Sequence, residues 1–285
     1  MISHRITASA IAICISASAL TAHHFYGPYP VTLKGYDGDK TNSVSYGGQI
    51  ARQVMEQSLK KLASTGNGGG NAAEVEAQMM QYFSGPTKDL AILAPASKDG
   101  FKVKQTTIGE LSSSANLEGK FYKGLMPAWP GNHTGVDVMK DMISRAAKSN
   151  KGFDAKNGYD YAQLISKFTM GAVQYSQAVD NYLDEKMTAD IKPNDMPYKE
   201  GKHYTGKEHS WDEGFGYFGA PAHTMALTPA AAYDIAKRKD MASADRNGDG
   251  VVDLKSEMVF GPAYYAAAFD QAGNTNYLAA IMQAY

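Results

Sequence analysis

Cysteine is almost missing from this chain. Of 285 residues only Cys14 carries a thiol. It lies in an N-terminal stretch that reads as a secretory signal: MISHR supplies a basic start, ITASAIAICISASAL an apolar run of small residues, and LTA, ending at Ala22, a cleavage site. Cleavage there leaves a mature chain without cysteine, which excludes a disulfide framework and suits an oxidising compartment, where an unpaired thiol is a liability. Ile13, where a lipoprotein signal has a small residue, and the early position of Cys14 exclude lipid attachment at that cysteine. The apolar run is too short and too rich in serine to anchor in a bilayer, so no integral membrane segment is expected in the mature chain. The expected location is the bacterial periplasm or the cell exterior.

A surplus of either charge is also lacking. The formal net charge is −1, with Lys and Arg spread along the chain, so no electrostatic footprint for nucleic acid is present. The glycine run TGNGGGN at 65–71 is not followed by Gly-Lys-Ser/Thr and reads as a flexible loop, not a phosphate cradle. There is no H-E-x-x-H and no G-x-S-x-G, so no local motif supports a peptidase or a serine hydrolase. No run of alternating strand residues occurs either.

Helical periodicity is what the chain does contain. Residues 23–42, rich in Gly, Pro and Asp, read as an extended lead-in; cleavage would expose His23 at its start, with a frayed terminus preferred over a copper-chelating one. A single helical domain is expected over 43–285. Ile50, Ala51, Val54, Met55, Leu59 and Leu62 mark a first helix, and Val75, Met79, Tyr82 and Phe83 a second, stopped by Gly85-Pro86. Residues 86–131 read as a long irregular connection crossing the bundle. Val136, Met139, Ile143 and Ala146 mark a third helix. In the fourth, Tyr161, Ile165, Phe168, Ala172, Tyr175, Val179 and Tyr182 form a heptad seam. A loop at 192–202 precedes helices near 206–218, 228–240 and 254–282. The expected class is all-α, a helical bundle with long irregular connections.

The strongest motif is DRNGDGVVD, 245–253. Asp245, Asn247, Asp249, the backbone carbonyl of Val251, and Asp253 stand at the first, third, fifth, seventh and ninth positions of an EF-hand-like calcium loop, with Gly250 for the turn. The twelfth position holds Ser256 in place of a bidentate glutamate, and Glu257 follows one residue later as the candidate closing ligand. The expected role of calcium is structural, neutralising clustered acids between two helices; an Asx-rich turn without metal is the alternative.

The second candidate is EHSWDEGFGYFG, 208–219. Thr205 and Glu208 form a T-x-x-E capping box, which starts a helix at Gly206. His209 and Glu213 then lie one turn apart with Asp212 flanking them, while Trp211, Phe215 and Phe218 form a separate aromatic stripe for the core. The His-carboxylate side has three readings: half of a site for iron or another divalent metal, a general acid-base couple, or a buried histidine satisfied by a carboxylate.

NSVSYGGQIARQVMEQSLKKL (42–62), EHSWDEGFGYFG (208–219) and DRNGDGVVDLKSEMVFG (245–261) together resemble a family of secreted or lipid-anchored bacterial proteins of unknown function. Members of that family continue through further helices, so this chain is expected to be C-terminally short, with part of the bundle absent or supplied by a partner. More distantly the chain resembles the imelysin-like proteins of bacterial iron uptake, whose G-x-H-x-x-E signature is approximated by Gly206, His209 and Asp212 or Glu213, with the glycine three residues before the histidine and Asp in the place of Glu. That resemblance implies a ferric or divalent ion on this helix. The leading expectation is a periplasmic or secreted metal-binding protein with structural calcium, and with an unknown protein or a metal-loaded ligand of the cell envelope as its partner. The alternatives are a non-enzymatic envelope module holding calcium alone and, third, an imelysin-like hydrolase.

Overall fold

The computed structural model describes residues 29–285 except 99, 189, 192 and 274. The segment 1–22 expected to be a signal, residues 23–28 of the expected lead-in, and with them His23, lie outside the described residues. The fold is mainly α, organised around α1 (Gly47–Ala63). Buried residues occur on nearly every face of α1, polar Gln49, Arg52, Gln53 and Glu56 among them. A helix buried all round belongs at the centre of a bundle, and its polar groups then need partners inside the protein. Arg52 Nε donates to Asn116 O at 2.8 Å, and Gln53 Nε2 donates to Tyr217 O at 2.7 Å.

Around α1 stand α2 (Ala72–Ser84), α4 (Gly135–Lys148) and α5 (Tyr161–Thr169). Val75, Met79, Tyr82 and Phe83 of α2, and Val138, Met139, Met142 and Ile143 of α4, are buried against the centre. Between α2 and α4 the chain is irregular, with β1 (Lys102–Val103), the single turn α3 (Ile108–Leu111) and a 3-10 turn at Glu118–Lys120. Ile108, Leu111, Leu117 and Phe121 nonetheless reach the core from this stretch. A short hairpin of β2 (Phe153–Asp154) and β3 (Tyr159–Asp160) leads into α5. These strands are two residues long, too short for alternation to register in sequence.

The fourth helix departs from expectation at Met170, where α5 gives way to a π-helix, Met170–Tyr182. Hydrogen bonds from i to i+5 widen each turn, so a seam spaced for the α-helix drifts off the core face. Tyr175 and Val179, seam positions by sequence, are 62 % and 42 % exposed, while Val173 and Gln174 are buried in their stead.

Against the π-helix and α1 lies α6 (Gly206–Phe218). Gly216 permits that approach: a Cβ there would stand 2.6 Å from Tyr46 Cβ. The expected helix at 228–240 is two helices, α7 (Pro229–Ala236) and α8 (Met241–Ala244), separated where Arg238 takes a left-handed φ of 57°. The expected helix at 254–282 is also interrupted. Residues 254–260 are non-helical, and α9 (Gly261–Gln271) and α10 (Tyr277–Ala284) are parted at Gly273, which has a φ of 83°. Asp270 closes that break, accepting from Tyr277 N and Leu278 N, each at 2.8 Å. No helix among the described residues is long and apolar enough to cross a membrane.

Candidate functional site

The expected capping box is present at the start of α6. Thr205 Oγ1 accepts from Glu208 N at 3.2 Å, and Glu208 Oε2 accepts from Thr205 N at 2.7 Å. This occupies Glu208 at the helix end and fixes where the next two turns point.

His209 and Glu213 come together as their spacing requires. His209 Nε2 lies 3.7 Å from Glu213 Oε2, and both side chains are mostly buried. The imidazole stacks on Tyr204, with centroids 5.0 Å apart, and the Tyr198 ring lies 4.4 Å away on a tilted plane. Glu213 Oε1 accepts from Gln49 Nε2 of α1 at 2.8 Å. Glu213 also faces Tyr182, whose hydroxyl accepts from Lys120 Nζ at 2.7 Å. Burial and the neighbouring Glu213 carboxylate both push the Tyr182 phenol well above its ordinary range. Burial and the nearby Arg52 guanidinium depress Lys120.

Asp212 does not join the pair. Its Oδ2 accepts from Ser45 N at 2.7 Å, and its Oδ1 accepts from Tyr285 Oη at 2.6 Å. Burial raises its carboxyl to about 6, against the two donors that favour the charged form. Asp212 therefore ties α6 to the residues just before α1 and to Tyr285, on a side of the helix separate from His209. Among the described residues no three His, Cys, Asp or Glu side chains converge as a set of metal ligands. The aromatic stripe also divides. Phe215 is buried, stacked on Tyr285 at 3.8 Å, whereas Trp211 and Phe218 are half-buried and line an apolar groove with the exposed Tyr175 and Val179.

The 245–257 loop is a continuous set of side-chain-to-backbone bonds. Asp245 Oδ1 accepts from Gly248 N at 2.9 Å, and its Oδ2 accepts from Gly250 N at 2.8 Å. Asn247 Oδ1 accepts from Asp249 N and Asp249 Oδ1 from Val251 N, both at 2.9 Å. Gly248 and Gly250 supply the positive φ values, 74° and 80°, that these turns need. Glu257, not Ser256, closes the loop: its Oε1 accepts from Arg246 N at 3.2 Å and its Oε2 from Asp253 N at 2.8 Å. Asp253 faces outward from the loop, where Lys104 Nζ lies 2.8 Å from Oδ2 and Gln105 Nε2 donates to Oδ1 at 2.8 Å. Burial alone would raise the Asp253 carboxyl, but these two donors hold it below its ordinary value.

The flanks differ from an EF-hand. α8 before the loop is one turn long, and a turn rather than a helix follows it. Val251–Val252 forms β4, which pairs in parallel with β1, Lys102 opposite Val251 and Val103 opposite Val252. The loop thus fastens the irregular 102–105 segment to the 251–254 segment, in place of setting an angle between two helices.

Sequence reasoning missed one feature, a cleft between the C-terminal ends of α1 and α7 that gathers lysines far apart in the chain. No local pattern announces it, since its residues run from Glu56 to Tyr265.

The chain belongs to the family defined by a domain of unknown function, DUF4856, whose model matches residues 35–247. That stretch contains all of α6 and ends inside the 245–257 loop. No curated protein and no solved structure matches the chain.

Proposed function

We propose that this chain is a secreted or periplasmic helical binding protein whose 245–257 loop takes up a structural calcium ion. The observation that carries this reading is the loop's oxygen set. Asp245, Asn247, Asp249, the Val251 carbonyl and Asp253 fall at calcium-loop spacing in the sequence; Asp253 is turned toward Lys104 and Gln105, and the Glu257 carboxylate, one residue past the twelfth position, reaches back over the loop to its first residues. Four of these groups are carboxylates, and the ion pair with Lys104 offsets one charge. Asp245 Oδ1 already accepts from Gly248 N and Asp249 N, but Asp245 Oδ2 and Asp249 Oδ1 each accept a single N–H and keep a second lone pair for a hard cation. Calcium would reinforce the join between β1 and β4, which holds the irregular connection against the C-terminal third. Scanning calorimetry of the mature protein tests this: saturating calcium raises Tm relative to chelator, and Asp249→Ala, which removes the side-chain oxygen, removes the difference. Equal melting temperatures with calcium and with chelator would discard the reading.

The 3.7 Å approach of His209 and Glu213 favours a second reading, an iron or other divalent ion at that pair. With Asp212 engaged by Ser45 and Tyr285, such an ion would draw its remaining ligands from water or arrive as a metal-loaded ligand. Loading with iron, zinc and copper followed by elemental analysis tests it. Bound metal that disappears in His209→Ala and Glu213→Ala supports the pair; no metal in the parent protein leaves an envelope module with calcium alone.

A further inference from the structure

The C-terminal ends of α1 and α7 and one face of α9 enclose a cleft of about 470 Å³. Lys60 and Lys61 enter it from the last turn of α1, Lys237 and Arg238 from the end of α7. Lys167 of α5 stands at its rim, with Nζ 4.4 Å from the centroid of the Tyr265 ring that forms part of the wall. None of these five cations is ion-paired to a carboxylate among the described residues. Lys60 Nζ donates to Gln163 Oε1 at 3.1 Å and Lys61 Nζ to Leu93 O at 2.8 Å, while Lys237 is hydrogen-bonded within the cleft to the Tyr264 hydroxyl. In a chain of net charge −1, five cations gathered at one cleft around a single carboxyl, Glu56, form a local excess of positive charge.

Part of this has a plain cause, because cations near helix C-termini favour the helix dipole. Two observations go further. Arg238 holds a left-handed φ of 57° at the position just beyond the α7 cap, where glycine is the usual residue. An arginine there carries a backbone cost that glycine would avoid, and in return its side chain lines the cleft. The second is Glu56, the cleft's carboxylate, buried and hydrogen-bonded to Ser166. Burial pushes the Glu56 carboxyl up to about 7, against the pull of Ser166, Lys60 and Lys167. Five cations thus face a single carboxyl whose charged form burial disfavours. Burial and repulsion from Lys60 depress Lys167, against the opposing pull of Glu56.

We propose that this cleft binds a small multivalent oxyanion, a metabolite bearing phosphate or carboxylate groups, between Lys60 and Lys61 on one side and Lys237 and Arg238 on the other. Lys60, Lys61 and Lys237 act as point charges, Arg238 offers the forked donor that matches a planar or tetrahedral oxyanion, and Tyr264 and Tyr265 form the wall behind them.

The test is calorimetric titration of the mature protein with inorganic phosphate and, separately, tricarballylate, at low ionic strength in buffer without added calcium. Saturable binding of either probe is expected, and which probe binds tells phosphate from carboxylate chemistry. Lys60→Gln with Lys237→Gln weakens it at least tenfold. Arg238→Gly relieves the backbone strain, so it leaves Tm unchanged or raised while weakening binding at least threefold, and it keeps the test informative if the double variant misfolds. Absence of saturable binding by both probes, or unchanged affinity in Arg238→Gly, overturns the proposal. So does heat that sodium chloride of matched ionic strength reproduces.

Discussion

Lys104 Nζ lies 2.8 Å from Asp253 Oδ2, so the ammonium of one segment stands over the acidic loop of another. The same lysine is held in its charged form by that hydrogen bond and by the charges of Asp253, Asp249 and Glu257. It therefore competes with any cation the loop takes up. Lys104→Gln is expected to tighten calcium binding by up to about fivefold, the equivalent of the ~1 kcal/mol upper range of an exposed ion pair. Calcium titration of the two proteins side by side measures this, and weaker binding by the variant would contradict it.

The Tyr285 hydroxyl donates to Asp212 Oδ1 at 2.6 Å, and its ring stacks on Phe215. Tyr285→Phe keeps the stacking and removes one donor from a buried carboxylate. A hydrogen bond to a charged group contributes about 1.5–3 kcal/mol, so urea unfolding should show a loss in that range with an unchanged m-value. A loss below about 0.5 kcal/mol, typical of a surface substitution, would contradict the account.

Glu56 sets a pH dependence. Its carboxyl is raised from 4.5 to about 7 in the folded protein by burial, with Lys60 and Ser166, Lys167, Lys237, Arg238 and Tyr264 around it. A raised carboxyl means the folded state binds the proton more tightly, so this group's contribution is intact below about pH 4.5. It declines as pH rises to about 7, by on the order of 3 kcal/mol at 1.36 kcal/mol per pKa unit. Glu56→Gln should remove that decline, leaving the variant more stable than the parent at pH 8 and equal to it at pH 4. Denaturant melts at the two pH values read the difference directly.

Gly216 faces the first turn of α1, where an added Cβ would lie 2.6 Å from Tyr46 Cβ and 3.0 Å from Gln49 Cβ. Gly216→Ala is expected to cost about 1–3 kcal/mol through overpacking, although alanine favours a helix. A stabilised variant would show that α1 and α6 are not held this close.

Local signals made much of this fold legible. The T-x-x-E box started α6 where the structure starts it, and the apolar positions marked on α1, α2 and α4 are buried except Val136, which is only partly so and whose place Val138 takes. What failed was whatever depended on distant neighbours. On a helix of about 100° per residue, Glu213 lies some 40° to one side of His209 and Asp212 some 60° to the other. Periodicity alone leaves Asp212 free to join either face; Ser45 and Tyr285, far away in sequence, decide it. The heptad seam ran on through Tyr182 because a widening of the helical turn leaves no mark in an apolar pattern. The glutamate that closes the acidic loop was legible, whereas its outer clasp, Lys104 and Gln105, was not. The lysine cleft was invisible for the same reason, since three separate helix segments supply its cations.

The central claim is calcium in the 245–257 loop, and direct calorimetric titration of chelator-stripped mature protein tests it. One calcium ion per chain is predicted, with a Kd at or below about 10⁻³ M, the range of extracellular modules. Binding should vanish in Asp249→Ala and persist in His209→Ala. No heat at millimolar calcium, or undiminished binding in Asp249→Ala, would contradict the account.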